Sequence, residues 1–350
     1  MVNLSFYKNR KILITGHTGF KGSWLSQILL NYGAKVCGIG LVPNTKPSVF
    51  DLLNLERRVE NHYLDIRDFD SVKAIFDDFE PEIVFHLAAQ PLVIRSYEEP
   101  RYTYDVNVMG TVNICESVRL SDSVRSFVDV TTDKVYENVE DYGHYYKEDE
   151  KLNGYDPYSN SKSCSELVTQ SYIRSFFHQK GIAVSTCRAG NVIGGGDFAD
   201  NRIIPDCARA AMKNEKIIVR NPNSVRPYQH VLEADMFYLL LAEKQFEEKE
   251  CAGHYNIGPN DEDCITTGDL VRLFVKYWEG SSFECQNIEG PHEANFLKLD
   301  SSKARQELDW KPKWSVEEAV KFSVEWYRAL SKKEDLISLT DEQIKMYLEN

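Results

Sequence analysis

Short apolar runs alternate with amphipathic stretches through the first half of the chain. Lys11 to Thr15 is apolar and stops at glycines, and Phe20 to Tyr32 then carries apolar residues at helical spacing, which predicts strand, turn and helix. Further apolar runs recur at Val36 to Leu41, Ile83 to Ala89, Phe127 to Thr131 and Ala183 to Arg188. Helix-like stretches separate them around Ser71 to Phe79, Val106 to Leu120 and Pro157 to Phe177. Such alternation predicts an α/β fold: a Rossmann-like, doubly wound parallel sheet covered on both faces.

After about Asn191 the pattern breaks into Gly/Pro/Asn-rich turns, as at Gly194 to Gly196, Asn221 to Asn223 and Gly258 to Asn260. A smaller mixed α/β C-terminal lobe is expected there. Residues 1–190 form the dinucleotide-binding unit in this reading, with 228–258 returning to it through a helix at Val231 to Ala242. Residues 191–227 and 259–350 form the lobe.

The 350 residues, 42% hydrophobic, suffice for one large domain or two sharing an interface. A formal net charge of -13 argues against a nucleic-acid partner, while local arginines still suit a small phosphorylated metabolite. No segment approaches an apolar membrane span, so a soluble, cytoplasmic protein without a membrane partner is expected. The eight cysteines are dispersed, with no Cys-x-x-Cys and no histidine cluster at ligand spacing, which predicts reduced thiols and no metal.

Gly16, Gly19 and Gly22 follow the first strand and open the first helix. Without side chains there, the backbone can turn tightly and bring free N–H groups towards a pyrophosphate. Gly16, Thr18, Gly19, Phe20, Lys21 and Gly22 are therefore candidate cofactor contacts. Asp65, beside Ile66, is positioned to meet an adenine amino group, and Leu87, Ala88, Ala89 and Gln90 end a strand with small residues that leave room for a dinucleotide. After the second strand, Gly38-Ile39-Gly40-Leu41 offers neither an acid for a ribose hydroxyl nor an arginine for a 2′-phosphate, so NAD is expected with NADP left open.

Tyr158 and Lys162 lie four apart on one helix face, where an adjacent ammonium and a cationic nicotinamide favour the phenolate. Thr132 ends the fifth strand, and its hydroxyl suits the substrate oxygen that Tyr158 would deprotonate. Asp133 and Lys134 follow. Arg202, Arg220 and Arg226 are candidates for bidentate diphosphate contacts. Gln90, Arg95 and Ser96, after the fourth strand, are candidates to face a hexose.

These motifs resemble those of the extended short-chain dehydrogenase/reductases, and among them most closely the nucleotide-sugar 4,6-dehydratases of the CDP-glucose branch. The resemblance rests on Gly16 to Trp24, His86 to Val93, Asn107 to Thr111, Asp133 to Asn138, Tyr155 to Ser159, Arg188 to Asp197, Arg220 to Asn223 and Pro291 to Ala294. It implies oxidation of a hexose at C4 by bound NAD, elimination of water across C5 and C6, and return of hydride to C6. Tyr158, Thr132 and Lys162 would serve the first step, and Asp133 and Lys134 the acid and the C5 base. The resemblance also implies that Asn107 serves the cofactor, that Asn191, Arg226 and His292 belong to the substrate site, and that CDP-glucose is the nucleotide sugar. A homodimer, or a higher homo-oligomer, would pair through the helices near 106–120 and 157–177. Another nucleotide-hexose dehydratase, a 4-epimerase and a non-catalytic cofactor-sensing protein are the competing readings.

Overall fold

The apolar runs form strands because each is buried on both sides, with helices supplying the cover. The computed structural model describes residues 2–141, 143–286 and 296–350. Lys11–Thr15 (β1), Lys35–Gly40 (β2), Glu60–Tyr63 (β3), Ile83–His86 (β4), Ser126–Val130 (β5), Ala183–Ala189 (β6) and His254–Ile257 (β7) make one seven-stranded sheet. Its order is β7-β6-β5-β4-β1-β2-β3, and every pairing is parallel. The expected doubly wound α/β architecture is the one found, and the strand order reverses direction between β1 and β4, where such sheets bind ligands.

Alternation along β1 divides the core. Ile12 and Ile14 pack with Trp24, Leu25 and Ile28 of the helix Phe20–Asn31 and with Phe237 and Leu241 of the helix Val231–Glu247. Leu13 faces the other side, with Val72 and Phe76 of the helix Phe69–Phe79, Ile114 and Val118 of the helix Gly110–Leu120, and Phe177. Two elements escape the apolar pattern. β3 reads Glu-Asn-His-Tyr because it is an edge strand, partly open to solvent, and β7 joins the opposite edge beside β6.

The helix expected from Val106 begins earlier, at Pro100, and widens to a π turn over Asp105–Met109 before continuing through Gly110–Leu120. Beyond β6 come short strand pairs, among them Val225–Pro227 with Cys264–Thr266, and the helices Ile203–Met212, Thr267–Tyr277, Val316–Lys332 and Leu336–Glu349. Trp310, Trp314 and Trp326 are buried among them. Among the described residues, no helix is long and apolar enough to cross a membrane. The eight cysteines are free thiols.

A fully buried ion pair fastens the site end of the sheet. Glu166, on the helix Pro157–Tyr172, accepts from Arg188 Nε at 2.9 Å and NH2 at 3.0 Å. It also accepts from Thr131 at 2.6 Å and Thr186 at 2.8 Å, while Arg188 NH1 donates to Tyr136 at 2.7 Å. With every strong acceptor and donor matched, the pair offsets much of its desolvation. Removing one partner would strand the other. Glu166→Ala is expected to lower the unfolding free energy by about 3–5 kcal/mol, measured as a shift of the urea midpoint at unchanged slope.

Candidate active site

At the C-terminal ends of β1, β4, β5 and β6 lies a cavity of about 1170 Å³, bounded on its far side by residues of 191–228. The glycine turn forms one end. Gly16 has φ +76°, and a Cβ there would stand 2.7 Å from Ala88 N and 2.9 Å from the Leu87 carbonyl carbon. A Cβ on Gly22 would meet Gly16 O at 2.3 Å. The turn thus presses against the end of β4, and Gly19 caps a helix whose first N–H groups face the cavity end, an arrangement suited to a pyrophosphate. Thr18, Phe20, Lys21, Ile66, Leu87, Ala88 and Ala89 line the same space.

β2 ends without an acidic residue for a steric reason. The His17 ring lies against it: a Cβ on Gly38 would come within 2.3 Å of the imidazole, and one on Gly40 within 3.1 Å of Thr18 Oγ1. His17 Nε2 bonds Asn61 Oδ1 at 2.6 Å, and burial pushes its pKa down. The wall beyond, Leu41 to Thr45, is uncharged. Asp65 lines the cavity with its carboxylate engaged by Arg67, which holds its pKa down.

Thr132, Asp133, Lys134, Tyr158 and Lys162 line the same cavity. Tyr158 and Lys162 share a face because they lie four apart on one helix, which Asp156 caps, its carboxylate accepting from Ser159 N at 3.0 Å, and Pro157 starts. Burial pushes the Tyr158 phenol up to about 12 and Asp133 adds to the rise, while a hydrogen bond with Thr132 and the Arg202 guanidinium oppose it. Lys162 donates to Val130 O at 3.0 Å, and its charged neighbours are Asp129 and Glu166. Arg202, whose guanidinium is held by Asp197 at 3.0 Å, also favours the phenolate.

Asp133 is buried. Its Oδ1 accepts from Thr132 Oγ1 at 3.0 Å and Lys134 Nζ at 3.4 Å. Asp133 Oδ2 and Asn191 Oδ1 are buried acceptors without a partner among the described residues, and both residues line the cavity. Unmatched buried acceptors are costly in a folded chain and mark where a ligand's donors belong.

The arginines also gather here. Arg202, Arg220 and Arg226 line the cavity from the segment 191–228, Arg220 donating to Asn201 Oδ1 at 3.0 Å and Arg226 to Val225 O at 3.0 Å. Arg95 lines the cavity, bonded to Glu99 at 2.7 Å with its guanidinium over Tyr102.

Three expectations need correction. Gln90 lines the cavity, but it is 3% exposed and its side-chain amide is engaged with Leu92 N, Leu92 O and Thr103 Oγ1. Ser96 is fully buried and donates to Val93 O at 2.6 Å, closing its own helical turn. Asn107 stands behind the wall, turned inward by the π turn, where its amide clamps the Gln90 backbone and reaches Ser161 Oγ at 2.9 Å. It can act on a cofactor only through that loop. His292 lies outside the described residues.

Sequence reading overlooked Asp197 and Glu166. Glu166 could have been found, since it continues the Tyr158 and Lys162 face one helical step further.

Comparison with known proteins fits this geometry. Residues 13–322 match the family model of GDP-mannose 4,6 dehydratase. The chain is 43% identical to CDP-glucose 4,6-dehydratase of Salmonella typhimurium, over 99% of each protein. Its fold is similar to that of UDP-glucose 4-epimerase from Thermus thermophilus in complex with NAD, at 25% identity with TM-score 0.80, covering 91% of this chain and 98% of that one. It is also similar to dTDP-glucose 4,6-dehydratase from Bacillus anthracis in complex with NAD, at 20% identity with TM-score 0.76, covering 94% and 99%. A glycine turn pressed on β4, a buried phenol beside a lysine, and an extent shared nearly end to end lead to one conclusion: the chain belongs to the nucleotide-sugar 4,6-dehydratase family within the NAD-dependent epimerase/dehydratase superfamily.

Proposed function

We propose that the protein is a CDP-glucose 4,6-dehydratase, converting CDP-D-glucose to CDP-4-keto-6-deoxy-D-glucose and water. The observation that carries this reading is the Asp133–Lys134 pair, 3.4 Å apart, in one cavity with Tyr158 and the glycine turn. A 4-epimerase needs the phenol and the lysine but no acid and base for elimination. The 43% identity with the CDP-glucose enzyme over nearly the whole chain supports the nucleotide. NAD suits the uncharged Leu41 to Thr45 wall better than NADP, whose 2′-phosphate calls for a cation there.

When bound, NAD supplies the acceptor and later the donor of hydride. Gly16, Thr18, Gly19 and Gly22 hold its pyrophosphate in this reading, with Ile66, Leu87 and Ala88 along its adenosine side. Tyr158 takes the proton of the C4 hydroxyl, with Thr132 hydrogen-bonded to its oxygen. Free of ligand, burial disposes the phenol to stay protonated, so Lys162 and the positive charge of the oxidised ring, with Arg202, must together favour the phenolate. Once C4 is a ketone, the C5 proton is acidic. In this scheme Lys134 takes the C5 proton as the neutral amine, and Asp133 protonates the departing C6 hydroxyl as the carboxylic acid.

Asn191, Arg202, Arg220 and Arg226 of the segment 191–227 hold the diphosphate in this scheme, and residues 259–350 complete the lobe. We also infer a cytoplasmic enzyme that pairs as a homodimer through the helices Gly110–Leu120 and Pro157–Tyr172, whose Leu120 and Leu167 are exposed, as is Met109 at the end of the preceding π turn.

Incubation with CDP-, dTDP-, GDP- and UDP-glucose should yield a 4-keto-6-deoxy sugar chiefly from the CDP donor, identified by NMR; C4 epimer without loss of water would overturn the reading. In deuterated water, Lys134→Ala should abolish exchange at C5 and lower kcat by about 10²- to 10⁴-fold, whereas undiminished exchange removes Lys134 as the base. Arg226→Ala is expected to raise KM for the nucleotide sugar about 10- to 100-fold, the loss of one charge-assisted contact, with dinucleotide content unchanged.

A further inference from the structure

At the β2–β3 edge of the sheet, three side chains of metal-binding character meet. Cys37 of β2 pairs in register with Glu60 of β3, and His62 lies two residues on, so all three project from one face of the sheet. Cys37 Sγ, a Glu60 carboxylate oxygen and a His62 ring nitrogen lie within 4.8 Å of one another, with His62 Nε2 at 3.1 Å from Glu60 Oε1. Ligands around tetrahedral zinc stand about 3.3–3.8 Å apart, so closing on an ion takes only small side-chain rotations.

The surroundings suit a cation. Cys37 is fully buried, whereas the His62 and Glu60 side chains are 36% and 46% exposed, giving an inner sulfur and an entry path from solvent at the sheet edge. Burial, and after it the charges of Glu60 and Asp78, push the Cys37 thiol up, so its proton is held until an ion takes its place. A thiol, an imidazole and a carboxylate together select late first-row divalent ions over calcium or magnesium. Sequence spacing hid the group, because 23 residues separate Cys37 from Glu60 and only the parallel pairing of β2 with β3 unites them.

We propose that Cys37, Glu60 and His62 form a binding site for one divalent transition-metal ion of the zinc class, with a solvent molecule as fourth ligand. On binding, the S–H bond of Cys37 breaks, a sulfur–metal bond forms and one proton leaves to solvent. No oxidation state changes. Between the two exposed ligands sits Asn61, whose side chain points the other way and holds His17 of the glycine turn. An ion here would therefore fix the strand that braces the cofactor end of the cavity.

The test is titration of the full-length protein with Co²⁺, followed by its thiolate-to-cobalt charge-transfer absorption and by displacement with Zn²⁺. One saturable equivalent is expected, with the band lost in Cys37→Ser and its affinity lowered at least ten-fold in His62→Gln. His62→Gln and Glu60→Gln alter an exposed edge and keep the test decisive should Cys37→Ser fold poorly. A band that persists unchanged in His62→Gln and Glu60→Gln, or the absence of saturable binding, would overturn the site.

Discussion

The contact between Glu166 and Arg188 governs the geometry of everything above it. It lies at full burial, where an unpaired charge is not tolerated, and it joins the three pieces that carry the chemistry. Through Thr131 it sets the residue before Thr132 and Asp133. Through the helix Pro157–Tyr172 it sets the stem of Tyr158 and Lys162, and through Tyr136 it ties down the chain leaving Lys134. Because Arg188 belongs to β6, these pieces are referred to the sheet and not merely to each other. A site that must align groups to fractions of an ångström gains from a support with so few alternative arrangements.

Above that support the charges are arranged in layers. Asp129 and Glu166 lie beneath Lys162, and Asp129 is itself pushed up to about 6 by burial. Arg202 acts on the phenol from the segment 191–228, and the Asp133–Lys134 pair lines the same cavity. The sheet and the segment 191–228 thus contribute walls to one electrostatic environment. Neither alone would complete it.

Much of this was legible in the sequence, and the failures have physical causes. β1, β2, β4, β5 and β6 announce themselves because strands buried on both faces must be apolar. β3 does not, since an edge strand beside solvent tolerates Glu60, Asn61 and His62. The glycine turn and the Tyr158 to Lys162 spacing are local patterns and could be read directly. What Gln90, Ser96 and Asn107 do depends on side-chain direction: Gln90 folds back on its own loop, Ser96 closes a turn and Asn107 is rotated inward by a π turn. Residue type and position do not encode such directions. The influence of Arg202 on Tyr158 was hidden for a related reason, since the two stand 44 positions apart in the chain and meet only across the folded cavity.

The imidazole of His17, seated in the space left by Gly38, has a consequence for redesign. In many dinucleotide-binding folds the preference between the two nicotinamide coenzymes is exchanged by swapping an acid for a base at the tip of the second strand. Here that tip has been given to an aromatic ring, and any larger residue would have to evict it. A change of coenzyme would have to be engineered in the segment from Leu41 to Thr45, or begin by shrinking residue 17.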